Sequence, residues 1–412
     1  MDLLKSFIIT LFAVTAQISD AQTKAFKNDI KSVQVMANND WLSPPVINLN
    51  SSDVINIGFD QLSHNYHRYT YRIEHCEADW TVSDQIFQSD YLNGLNDNTI
   101  DNYTNSINTI IDYTHYSLQI PNDKCSLKMS GNYRVSIFDD DNGGEKVLQA
   151  EFMVVEQIMN IGMNVTTNTD IDVNKAHQQL TAELNYGGIN ITNYEEEIRT
   201  VFMQNARHDN ARKNLKPSII NNIGVKWTHN KNLIFTGDNE YRKYEILAVS
   251  HPTMGIDRIS WDGHNYNAYP FIDELRKNYL FDEDANGYFL IRNSDNTEID
   301  HTCEYVYVHY TFKSPEINLP VYVTGKWTTD SDSDSYLMKY DNETQSYHTT
   351  ILQKQGYYSY QYMAQEPKGN MTFTPLENSF YQTENRYQAF VYYKGIGDRT
   401  WRLTGYRQTS FK

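Results

Sequence analysis

Alternation with a period of two recurs from one end of this chain to the other, and it constrains the fold more than any other feature. Runs such as NYRVSIF (132–138), VLQAEFMVVE (147–156), QQLTAELN (178–185), RKYEILAVS (242–250), YVYVHYTF (305–312), PVYVTGKW (320–327), YYSYQYM (357–363) and NRYQAFVYY (385–393) place apolar or aromatic residues at every second position. A strand sends successive side chains to opposite faces, so this pattern buries one face of a sheet. The 32 tyrosines strengthen the reading, because aromatic side chains fit half-buried pleated surfaces. Turn-rich segments, DDDNGG (139–144), DEDANG (282–287) and TTDSDSDS (328–335), punctuate the runs. Helical periodicity is scarce, and PFIDELRKNY (270–279) is the one segment that predicts a short helix. Many short strands with such punctuation predict an all-β chain built of immunoglobulin-like or early-set β-sandwiches with little helix.

Three consecutive sandwich domains fit the length. A long strand ends near Glu156 before IGMNVTTNTD, and KSPEINLP (313–320) sets two prolines around polar residues ahead of a new strand. These breaks predict domains over 23–156, 157–313 and 314–412. Ahead of them, residues 1–21 read as a secretory signal: Lys5 precedes an apolar run from Phe7 to Ala16, and Ser19-Asp20-Ala21 is a small-residue cleavage site. That run is too short to span a bilayer, and no later segment is long and apolar enough to do so. No cysteine stands immediately after the cleavage site, so a lipid anchor is not expected.

The formal charge is −17. Such a surface excludes binding modes that neutralise phosphate with clustered Lys and Arg, and it disfavours anionic lipid. Cys76, Cys125 and Cys303 are the only cysteines, so at most one disulfide forms. A chain this size supports its cores without disulfide staples.

Chemistry is most suggestive at YTYRIEHCEADWTVSD (69–84), where His75 and Cys76 sit among acidic residues. Strand geometry sorts Tyr69, Tyr71, Ile73 and His75 onto one face and Thr70, Arg72, Glu74 and Cys76 onto the other. The two candidate ligands therefore point apart, and no second pair with zinc spacing lies nearby. The stretch is expected to be a tyrosine-rich strand leading into a turn with a buried Trp80, and Cys76 a free buried thiol. DEDANG resembles the opening of a calcium loop through Asp282, Asp284 and Asn286, yet position twelve is Asn293 where a bidentate Glu is needed, and YFLIR reads as a strand. A turn before a strand is the expectation there, and a solvated loop tip at DSDSDS. Glu240 and Arg242 share a strand face and are expected to form a strand-edge ion pair. No G-x-S-x-G, H-E-x-x-H or phosphate-cradling glycine loop occurs. No catalytic residue, cofactor or metal ligand is therefore assigned, and small-molecule binding is not expected.

The last expected domain resembles the early-set sandwiches of glycogen-binding modules in its VYVTGKW strand and the tyrosine-rich strand that follows. In such modules aromatic faces stack on sugar rings. Trp327, Tyr357 and Tyr358 would make that contact here, the alternative being that they fill a sandwich core.

Over nearly the whole chain a closer likeness appears. YRIEHCEADWTVSD, DNYTNSINTIIDYTHYSLQIPND, SGNYRVSIFDDD, VFMQNARHDNA, GDNEYRKYE, DEDANGYF and KQGYYSYQYM, in that order, resemble the plug protein family of the type IX secretion system of Bacteroidetes. The resemblance implies a non-enzymatic periplasmic protein at the inner face of the outer membrane. Its implied partner is the giant SprA-type translocon barrel, whose periplasmic opening the family closes when no PorV-type shuttle occupies the lateral gate. It transfers no contact residues to this chain.

Overall fold

The computed structural model describes residues 23–329, 333–367 and 369–412. The signal segment at 1–21 and residues 330–332, the first half of DSDSDS, lie outside them. Strands dominate, and the α-helices among the described residues are single turns at Gln88–Tyr91, Tyr194–Glu197 and Ile299–Thr302. The chain is an all-β, multi-domain sandwich protein.

In the first unit, Tyr69–Cys76 pairs antiparallel with Gly131–Asp139, which pairs with Glu145–Val155. The facing sheet runs Ile30–Ala37, Ile55–Gln61, Thr114–Ile120, Asn102–Asn105. Alternation places Tyr69, Tyr71 and Ile73 between the sheets against Phe59, Tyr116 and Tyr133. Phe59 stacks on Tyr116 at 5.4 Å and meets the edge of Tyr69 at 5.4 Å, so each ring contributes specific geometry beyond the roughly 1.5–3 kcal/mol of its burial.

His75 follows on the same face and is fully packed. Its Nε2–H donates to the Ser130 carbonyl at 3.1 Å, and Nδ1 lies 2.9 Å from Ser83 Oγ. Burial pushes it below the ordinary histidine range, so the ring is neutral. Gly131 makes room for it, since a Cβ there, at φ +148°, would lie 2.2 Å from Nε2. Cys76 points the other way. It is a free thiol, as are Cys125 and Cys303, and burial pushes it up to about 12. Beyond it, Trp80 joins Met153, Val201, Phe390 and Leu403 in an apolar cluster. The stretch that looked most like chemistry is thus the seam between the first and second units.

Strand pairing does not follow the expected division at 313/314, and this corrects the sequence reading. Tyr305–Lys313 pairs with Ser346–Lys354, while Arg242–Ile246 and Val321–Thr324 both pair with Gly356–Gln365. Strands on both sides of KSPEINLP therefore share one sheet system and one core of Tyr244, Tyr310, Phe312, Trp327 and Tyr362. Conversely, Asn385–Tyr393 pairs with Ile198–Gln204, and Arg402–Phe411 adds outside it. These last strands close the second unit over Trp227, Phe202 and Tyr387. The third unit is an insertion in the second. A proline-flanked polar loop marks a turn equally well inside a sandwich or between two, so local pattern does not encode which strand becomes its partner.

Buried polar groups lock the units together. Between first and third, Asp60 accepts from Lys354 Nζ at 2.7 Å, from Tyr305 OH at 2.8 Å and contacts His115 Nδ1 at 2.6 Å. Glu304 accepts the backbone N–H groups of Ile110 and Ile111. Between first and second, Tyr392 OH donates to Asn132 Oδ1 at 2.9 Å and the Trp401 N–H to Glu77.

Candidate functional site: an apolar crown on the third unit

The predicted helix at 270–279 does not form. Tyr266–Pro270 is a strand, Asp273–Glu274 adds a two-residue parallel pairing with Tyr305–Lys313, and the chain then runs on irregularly to Phe289–Ile291. Side chains from the sheet below hold this path. Asp273 receives Arg242 at 2.6 Å, Tyr360 OH at 2.8 Å and Tyr362 OH at 2.7 Å. Arg276 donates to the Glu240 carbonyl, Asn378 donates to the Arg276 carbonyl, and Tyr279 OH donates to Glu240 Oε1 at 2.7 Å. Lys243 takes Asp282 at 2.6 Å, and Asp284 accepts the N–H groups of Tyr241 and Asn286.

Arg242 is the keystone. It grips the fully buried Glu377 through Nε at 2.9 Å and Nη2 at 3.0 Å, and it reaches Asp273 with the third nitrogen. A guanidinium held on both sides in this way is a rigid fork. The sequence leaves Arg242 and Glu240 free to pair with each other or with a neighbouring strand; Arg242 pairs with Asp273 of Asp273–Glu274 and with Glu377, while Glu240 takes Tyr279.

With every second or third residue tied down, the rest of the loop faces outward. Phe271, Ile272, Leu280 and Phe281 are 59%, 64%, 80% and 55% exposed. The Phe271 N–H donates to the Gly255 carbonyl at 3.1 Å, next to Met254, itself exposed. Exposed large apolar groups on an ordered, polar-anchored loop mark a protein contact more than a solvated tip. The sequence signal was present: two apolar pairs, Phe271-Ile272 and Leu280-Phe281, bracket a polar stretch. Helical spacing was the wrong frame for them.

The residues weighed for sugar contact are placed elsewhere. Trp327 is 4% exposed, its indole N–H donates to the Ser359 carbonyl at 3.1 Å, and its ring stacks on Tyr310. Tyr358 is buried and donates to the Lys354 carbonyl at 2.6 Å. Tyr357, on the opposite strand face, meets Trp41 of the first unit edge-on at 5.8 Å. The three share no exposed platform: Trp327 and Tyr358 fill the core, and Tyr357 packs between units. DEDANG is a turn, with Asp282 and Asp284 already paired as above, and among the described residues no group of three metal-ligating side chains converges.

No helix among the described residues is long and apolar enough to cross a membrane. The family model for the type 9 secretion system plug protein first domain matches residues 30–156, the span of the first sandwich. A crystal structure of a hypothetical protein from Parabacteroides merdae is 36% identical, with a TM-score of 0.91 over 95% of this chain and 99% of that one. Staphylococcus aureus collagen adhesin aligns at 9% identity with a TM-score of 0.10, which carries no argument. None of the curated proteins matches the sequence. With its first sandwich matched by the plug model, the chain belongs to the type 9 secretion system plug protein family.

Proposed function

We propose that this protein is a non-enzymatic periplasmic plug that docks on the periplasmic opening of a SprA-type outer-membrane translocon barrel and closes it, with the crown at 271–281 as a principal contact. Family membership supports the reading. The observation that carries it is the crown: four large apolar side chains held outward by buried polar ties. Closing a wide pore requires a body that does not deform under load, and interlocked units with buried ionic ties supply that stiffness. Apolar anchors supply affinity, since a few buried aromatic and aliphatic side chains carry most of the energy of a protein contact.

The test is capture of a tagged copy from detergent-solubilised envelopes of the native host. The barrel is expected near equal stoichiometry, without the shuttle subunit. Phe271→Asp combined with Leu280→Asp should lower recovery by about tenfold or more while leaving the unfolding midpoint unchanged. Failure to recover a barrel shown to be intact in the same extract overturns the proposal. Full recovery with the doubly substituted chain would move the contact away from the crown.

A further inference from the structure

The formal charge of −17 is unevenly spread, and one stretch of the second unit runs against it. Residues 210–231 hold Arg212, Lys213, Lys216, Lys226 and Lys231 and no Asp or Glu. Arg212, Lys213 and Lys231 line one surface hollow together with Leu215 and Ile234. Nearby acids are already engaged: Glu183 takes Lys226 at 2.9 Å, and Asp170 is held by His229 and Gln179, each at 2.8 Å. Among the described residues, Arg212, Lys213, Lys216 and Lys231 enter no salt bridge. The same stretch carries a hairpin, in which Ile219–Asn221 pairs with Gly224–Trp227 and forms the outermost strand of its sheet. Its turn is pinned. Asn221 Oδ1 accepts the N–H groups of Ile223 and Gly224, and the Ile223 carbonyl accepts the Tyr186 N–H at 2.9 Å. At its root, the Trp227 indole N–H donates to the Leu215 carbonyl at 2.9 Å and Asn230 donates to the Lys216 carbonyl at 3.2 Å, which sets the hairpin beside the cationic hollow. Ile219, Ile220 and Ile223 on this rigid hairpin are 48%, 56% and 69% exposed.

We propose that this face of the second unit docks on an anionic phospholipid surface, with the isoleucine hairpin entering the headgroup boundary and Arg212, Lys213, Lys216 and Lys231 meeting the phosphates. The two sides of the hairpin select the occupant. Ile219 and Ile220 are neighbours on a strand and point to opposite sides, so a folded partner packed on one side leaves the other isoleucine in water. A fluid interface covers both. Interfacial segments sink their apolar side chains about 5–10 Å into the boundary between headgroups and acyl chains, a depth within reach of a hairpin that rises about 3.3 Å per residue. Each basic group at the surface of an anionic leaflet adds about fivefold in affinity, and its apolar stem lies along the boundary while its head stays with the phosphates. The acidic remainder of the molecule does not cancel this, because salt confines charge effects to about 8–10 Å. The face shares no residue with the crown, so it stands whichever partner the crown takes.

The test is flotation of the purified protein with vesicles of phosphatidylcholine alone and of phosphatidylcholine carrying about one-quarter phosphatidylglycerol. The protein is expected to float with the anionic vesicles, to bind the neutral ones about tenfold or more weakly, and to be released as salt rises from about 0.1 M to about 1 M. Ile220→Ser combined with Ile223→Ser removes apolar surface without changing charge, and Lys213→Glu combined with Lys231→Glu reverses charge without touching the hairpin. Each pair, verified folded by its unfolding midpoint, should weaken binding to the anionic vesicles by about tenfold or more. The Phe271→Asp, Leu280→Asp chain should bind them as the parent does, which separates this face from the crown. No flotation with anionic vesicles, or equal binding to both kinds, overturns the proposal without any variant. Parent-like binding by both the serine and the glutamate chains, or binding lost only in the crown chain, overturns the assignment to this face. Should the serine chain instead lose capture of the barrel while the parent ignores vesicles, the face is a protein contact and the lipid class is overturned.

Discussion

Asp60 is fully buried, in surroundings where an unpaired carboxylate would cost several kcal/mol. Burial pushes its pKa up, and Lys354 and His115 more than offset this, holding it below the ordinary range. Replacing only one partner leaves the other stranded. Asp60→Asn is therefore expected to destabilise the chain by about 3–5 kcal/mol in urea unfolding, and a loss under about 1 kcal/mol would show the network to be incidental. Asp284 is the opposite case. Burial raises it to about 7, against an ordinary value near 4, so the folded chain keeps a proton that the unfolded chain releases between about pH 4 and 7. That term lowers stability as pH rises through this window and is constant above it. Relative to the parent, Asp284→Asn should gain on the order of 2 kcal/mol between pH 5 and pH 8. Comparing the two chains cancels the histidine contributions common to both; a flat difference would contradict the assignment. Sequence reasoning read single faces well, as at His75 and Cys76, because strand alternation is local. It could not foresee Asp60 with Lys354, since their partnership spans two units.

At the scale of elements, the alternating runs became strands wherever they were long, and the failures were of partnership. Trp327 and Tyr358 lie in segments that resemble a sugar-binding module, yet the facing sheet turns that side into core. PFIDELRKNY has helical composition, but Asp273 and Arg276 are claimed by the sheet beneath and the backbone stays open. The final strands give the sharpest test. Because Asn385–Tyr393 pairs along Ile198–Gln204 from Ile198 with Tyr393 to Gln204 with Tyr387, truncation after residue 384 should strip the second unit of Tyr387, Ala389 and Val391 from its core and leave Ile198–Gln204 without its long partner strand. Protease resistance and amide protection are then lost across residues 160–236 while the first sandwich keeps its own. Protection of 160–236 in the truncated chain would contradict the insertion topology.

The whole molecule is three sandwiches joined by buried contacts, and its topology returns the chain end to the second unit after the third is complete. That arrangement resists hinge opening, because moving the third unit away from the first breaks the Asp60, Glu304 and Tyr113 contacts together. Apolar groups left exposed on such a body are presented at a fixed angle, as the proposed pore closure requires. Family and the all-β sandwich class were legible in the sequence because many ordered segments carried them, whereas the insertion of the third unit and the proposed docking surface were not, the latter being defined by which loop the folded core leaves uncovered. The most direct measurement is the conductance of purified translocon barrels in a planar bilayer, with this protein added to the periplasmic side. The account predicts a saturable fall in conductance that the Phe271→Asp, Leu280→Asp chain does not produce. Conductance unchanged at saturating protein, with the barrel shown to be open, would contradict it.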